Sequence, residues 1–155
     1  MIMRFQSFCL ALVALIAILL CFIPVAQFQM SDGNMLFIRF GDVYRISTAE
    51  TEQLIEQGLL LKVDILIIII FSIISFGLFK KRKIQLSFSI ALLSAILILI
   101  VILFYQISRI SQFYTAQFKP GFEILLPVII AILVILAIRG IRKDEKLLSS
   151  YNRLR

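Results

Sequence analysis

The 155-residue sequence offers few side chains able to do chemistry, and what is missing narrows the possibilities first. There is no histidine, so the commonest general acid/base and the commonest transition-metal ligand are both absent. Haem on an axial His, His-bearing zinc sites, and Ser-His-Asp or Cys-His catalysis are excluded within this chain. Cys9 and Cys21 are the two cysteines. Twelve helical residues at about 1.5 Å each hold them about 18 Å apart, too far for a disulfide between them. They read as small buried hydrophobes.

Two carboxylates, Asp64 and Glu123, stand at the ends of apolar runs, and Pro127 follows Glu123 by one turn. A proline there removes the helical hydrogen bond to the Glu123 carbonyl and favours a kink. Asp64, Glu123 and Pro127 therefore outline a candidate outer vestibule. The simpler reading makes the two carboxylates solvated helix ends and the proline a packing feature. Cations fall in two groups: Lys80, Lys81, Arg82 and Lys83, then Arg139, Arg142, Lys143, Lys146 and Arg153. Both groups are candidate contacts for anionic lipid headgroups or for a protein partner. A nucleic-acid partner is not expected, because Tyr151 is the one aromatic among the basic segments, where base stacking would need several. No catalytic constellation and no cofactor site emerge, so the chain reads as a non-enzyme.

The elements that would position these residues are helices in lipid. Hydrophobic residues make up 61% of the chain, charged residues 16%, and mean hydropathy is +1.05, whereas soluble domains average about 45–50% apolar residues. A monomer this apolar would expose Leu and Ile to water unless lipid were its solvent. Four continuous runs, at about residues 5–23, 63–79, 84–105 and 122–138, are long and apolar enough to cross a hydrocarbon core that needs roughly 17–25 helical residues. Continuous rather than alternating runs exclude a barrel pattern. The first run could pass for a secretory signal, but it exceeds the core of a cleaved peptide, and Leu20 stands where a lipoprotein site needs a small residue before Cys21. It reads as an uncleaved helix ended by Pro24.

Eleven Lys and Arg residues lie in the N-terminus, the second connection and the tail, against five (Arg39, Arg45, Lys62, Arg109, Lys119) on the other side. The positive-inside bias then puts both termini in the cytoplasm. The expected fold is an all-α integral membrane protein: four transmembrane helices in an antiparallel bundle, forming one domain over 1–155, with a small outer hairpin-plus-helix segment at 24–62.

Within that outer segment, Asn34 to Ser47 is β-branched and aromatic around Gly41-Asp42, which predicts a hairpin. Ser47 with Glu50 forms a capping box, and Leu54, Ile55 and Leu59 follow, which predicts a short helix over 48–60. The four-residue connection at 80–83 makes the second and third spans antiparallel neighbours. Phe113, Tyr114 and Phe118 in the third connection suit the headgroup level. In the tail, 139–155, the cations fall within about 100° of a helical wheel and Ile141, Leu147, Leu148, Tyr151 and Leu154 occupy another sector. That is an amphipathic basic helix, lying on the membrane or docked on a protein, with Gly140 as a point where it could bend. Small residues (Ser7, Ala11, Ala14; Ser87, Ala91, Ala95) line one side of the first and third spans and predict that these two pack together.

The tail from Leu136 to Arg155, with its Ile-Arg-Lys-Asp-Glu-Lys-Leu run, and the Met-Ile-x-Arg-x-Gln start at Met1 to Gln6 resemble a family of small Bacteroidota membrane proteins known as a domain of unknown function, number 4293. Arg142 to Leu147 match the run that marks the family. The resemblance implies a four-helix bacterial inner-membrane protein and brings no activity, substrate or cofactor. The functional expectation is an accessory or assembly component of a larger membrane complex. The alternative is a small transporter or channel, alone or as a homo-oligomer.

Overall fold

The computed structural model describes residues 5–30, 33–46, 51–78 and 81–153. Among them are helices α1 (Phe5–Leu19), α2 (Leu59–Gly77), α3 (Arg82–Phe113) and α4 (Leu126–Arg153), with a 3-10 turn over Phe122–Leu125. Strands β1 (Pro24–Gln29), β2 (Met35–Arg39), β3 (Asp42–Ile46), β4 (Glu52–Glu56) and β5 (Gln117–Lys119) complete the inventory.

Each helix buries one stripe at three- and four-residue spacing. On α1 the stripe runs through Gln6, Cys9, Leu10, Val13, Ile16 and Ala17; on α2 it runs through Leu61, Asp64, Ile65, Ile68, Ser72 and Ser75. Gln85, Ser89, Leu92, Ala95, Ile96 and Leu99 do the same on α3, and Ile130, Val134, Ala137, Ile138 and Ile141 on α4. These stripes close a ring in which α1 packs on α2, α2 on α3, α3 on α4 and α4 on α1. Opposite the stripes, Phe8, Leu15, Ile18, Ile70, Ile73, Leu97, Ile98, Val101, Ile129 and Ile132 form an exposed apolar belt. Such a belt is stable only against lipid.

The strands form one antiparallel sheet in the order β4-β3-β2-β1-β5. Phe40 and Gly41, with φ of 47° and 86°, turn β2 into β3 as a two-residue hairpin that needs positive φ at both centres. Pro24 opens β1, where a missing N–H harms no ladder, and a register shift follows it between Pro24 and Ala26. Ala26, Phe28, Leu36, Ile38 and Val43 share the face that packs on the helix ends.

The all-α expectation is therefore overturned: the fold is four helices plus a five-stranded antiparallel sheet. Among the described residues three helices, α2, α3 and the Phe122–Glu145 segment, are long and apolar enough to cross a membrane. The first run supplies a 15-residue helix rather than a 19-residue span, because the chain leaves the helix after Leu19 to enter β1 at Pro24. The hairpin at 34–46 is present as β2 and β3. The helix over 48–60 is not: residues 52–56 form β4, where Leu54 pairs with Tyr44 and Glu52 with Ile46. The capping-box residues Ser47 and Glu50 lie outside the described residues. Phe118, expected at the headgroup level, lies in β5 and meets the Phe28 ring at 5.5 Å.

Candidate functional site

Two regions gather polar groups, one at each end of the helix ring. At the sheet end, the hairpin turn rests on the start of α2. A Cβ at Gly41 would come within 2.7 Å of the Gly58 carbonyl oxygen, and one at Gly58 would collide with the Gly41 carbonyl. Glycine is needed at both positions for that approach. Beside it, buried Asp42 accepts the Gly58 N–H at 3.2 Å and pairs with Lys62 at 2.6 Å. Arg109, on the part of α3 nearest the sheet, pairs with Glu56 of β4. The sheet is thus latched to both α2 and α3.

Its other face points away from the helices. Phe37 stacks on Tyr44 with centroids 5.4 Å apart, and the Arg39 guanidinium lies 4.8 Å from the Tyr44 centroid while pairing with Glu52 at 3.0 Å. Met35 and Leu54 flank this cluster at 48% and 49% exposure.

Beneath the sheet is a cavity of about 10 Å³ lined by Leu20, Val25, Ile38, Gly41, Leu61, Ile65, Leu99, Leu103 and Pro127. That is room for one water at most. The three residues expected to form an outer vestibule are not brought together there: Pro127 lines the cavity, but Asp64 and Glu123 do not. Asp64 is also no solvated helix end. It is 7% exposed, inside the ring, and its Oδ2 has no hydrogen-bond partner among the described residues. The half-buried Glu123 folds its carboxylate over Gly121.

At the opposite end the four helices meet in a polar junction. Gln6 of α1 donates to Asp144 Oδ2 at 3.3 Å, and its side chain lies over Gly140, where a Cβ would meet Gln6 Cβ at 3.3 Å. Gly140 therefore admits α1 against α4, and α4 runs unbroken past it. Arg82 donates to the Asp144 carbonyl at 3.1 Å. Deeper in, Gln85 donates to the Ser75 carbonyl at 3.1 Å, Ser89 to the Gln85 carbonyl at 2.9 Å, and the Ser75 and Ser89 hydroxyls meet at 2.8 Å. Gln6 Oε1 and Gln85 Oε1 are buried without a hydrogen-bond partner among the described residues.

Arg82 brings the two cation groups to this one end. Lys81, Lys83, Arg139, Arg142 and Lys143 are all exposed there. Lys80 lies outside the described residues, and for Lys146 and Arg153 only the backbone course along α4 is described. Gln6, Ser75, Gln85 and Ser89 were missed by the sequence reading; a glutamine and a serine one turn apart in an apolar run were the available signal. The small-residue strips do not pair. α1 and α3 sit across the ring from each other, and Ser87 faces outward.

The junction joins the two segments on which the family resemblance rests, the N-terminal Gln6 and the Asp144 of the tail. A family model described as "Domain of unknown function (DUF4293)" matches residues 2–154. The chain belongs to this family. The match spans the helices and the sheet alike, so the sheet is part of this DUF4293 unit rather than an appendage. No curated protein matches the chain. Three apolar helices of span length point to a membrane protein.

Proposed function

We propose that this DUF4293 protein is a non-enzymatic accessory or assembly component of a larger membrane complex, holding a docking sheet outside the membrane. The observation that carries the reading is the sheet itself. Its near face is latched to the helices by Asp42, Lys62, Glu56 and Arg109, while its far face presents Met35, Leu54 and the half-buried Tyr44 and Arg39 over a buried Phe37. A rigid platform with aromatic, Met and Arg side chains has the composition favoured in protein interfaces.

The membrane is a bacterial inner membrane in this reading, with both termini cytoplasmic. Charge distribution supports that placement. The Gln6–Asp144 bond, which puts the start of α1 beside the last third of α4, supports two termini on one side.

The transporter or channel alternative draws on Asp64, an ionisable side chain buried within a span. Against it, the cavity under the sheet holds no more than one water.

The test is extraction of the tagged full chain from its own membranes into lipid nanodiscs, followed by mass spectrometry of stoichiometric companions. A partner lost on Leu54→Glu supports docking through the sheet. A lone chain or homo-oligomer, with solute flux abolished by Asp64→Asn in liposomes, overturns it in favour of transport.

A further inference from the structure

We propose that the junction end of the helix ring binds a diphosphate phospholipid of the diphosphatidylglycerol type, one phosphate at the start of α3 and the other on α4. This goes beyond the docking role of the sheet, which lies at the opposite end, and does not depend on it.

The cations come from two elements. Lys81 and Lys83 flank the start of α3; Arg139, Arg142 and Lys143 lie on α4, and all five are exposed. The Arg82–Asp144 bond at 3.1 Å sets the start of α3 one arginine side chain away from α4. The described carboxylates at this end are Asp144, which Gln6 engages, and the half-buried Glu145. Six cations against two carboxylates leave a positive excess that one phosphate does not neutralise.

The surroundings fit a lipid. Exposed Ile84 continues from the cations of α3 and exposed Ile132 and Ile135 from those of α4, an apolar wall for acyl chains beneath a charged rim. The first turn of α3 has no acidic residue and no side-chain cap, so its free N–H groups add to the positive field. Cations on neighbouring membrane helices at the headgroup level suit a dianionic headgroup. A headgroup with two linked phosphates can engage both groups at once, whereas a single phosphate meets one.

The full chain in phosphatidylcholine nanodiscs would be titrated with diphosphatidylglycerol, and separately with phosphatidylglycerol at matched headgroup charge, reading bound lipid per chain by native mass spectrometry. Expected is about one diphosphatidylglycerol per chain, with at least tenfold preference over phosphatidylglycerol. Lys81→Gln with Lys83→Gln is expected to weaken binding about 30-fold, from about 1 kcal/mol per cation, and Arg142→Gln with Lys143→Gln by a similar factor. Equal binding of the two lipids at equal charge overturns the proposal, and that comparison needs no variant. Undiminished binding in both double variants overturns it as well.

Discussion

Replacing Gly58 by alanine tests how the sheet is seated on the helices. Gly58 precedes α2 with φ −95° and ψ 71°, a backbone any L-residue can adopt, so conformational strain plays no part. The new Cβ would collide with the Gly41 carbonyl, a backbone group in a tight turn that cannot rotate away. The hairpin must lift, and overpacking of this kind costs about 1–3 kcal/mol. Lifting also stretches the 3.2 Å bond from the Gly58 N–H to Asp42, a bond to a charged group contributing about 1.5–3 kcal/mol. Together the loss is about 3–5 kcal/mol. At about 2–4 °C per kcal/mol for a chain this long, Tm should fall by about 10 °C. Cys9 is 2% exposed, so once the partly exposed Cys21 is replaced by serine a thiol-reactive fluorophore reads unfolding of the full chain in nanodiscs. Gly77→Ala is the control: nothing lies within 4 Å of its Cβ, and alanine there is expected to be neutral or to stabilise by up to about 1 kcal/mol. If Gly58→Ala melts as Gly77→Ala does, the seated hairpin is wrong.

Four other outcomes are expected. Ser75→Ala and Ser89→Ala, measured singly and together by the same melt, should be coupled by about 0.6 kcal/mol, the usual size of a hydrogen bond between membrane helices; additivity would deny the 2.8 Å contact. Glu56→Gln frees Arg109, but with side chains 36% and 46% exposed the loss should stay below about 1 kcal/mol and vanish in high salt. Gly140→Leu should separate α1 from α4 and raise the reactivity of Cys9 in folded protein, while Gly140→Ala, whose Cβ needs Gln6 to give only slightly, should not. A reporter inserted at Gly33, where a Cβ meets nothing within 4 Å and φ is +77°, should lie on the opposite side of the membrane from one fused after Arg155. The same side for both would refute the proposed orientation.

The sequence made the helices visible because lipid demands long apolar runs, and it made the β2–β3 hairpin visible because Gly41-Asp42 interrupts alternating residues. It misled at β4. Leu54, Ile55 and Leu59 suit one side of a helix, but pairing with β3 decides the strand, and no local signal carries a neighbour's hydrogen bonds. β5 has three residues and no pattern of its own. Partner choice among helices was equally hidden. Small residues on α1 and α3 are compatible with close approach, yet the ring order places α2 and α4 between them. The cation groups were legible as charge runs on one side, whereas the approach of the start of α3 to α4 was not, since it rests on Arg82 reaching Asp144 across 62 residues of chain. Asp64 was legible as a carboxylate and not as a buried one, because burial depends on how the helices pack.

The order of the strands bears on how the protein is made. β1 lies between β2 and β5, so one of its edges stays open until residues 117–119 have been synthesised and carried across behind α3. About 90 residues separate the two strands, which is several seconds at about 5–20 residues per second. Throughout that interval the growing chain offers the edge of β1 to any extended segment nearby. Insertion of the third helix thus acts as a timer on the sheet: it both delays and completes the seam, and a chain stalled before it would leave the membrane with a half-zipped surface open to the wrong strand.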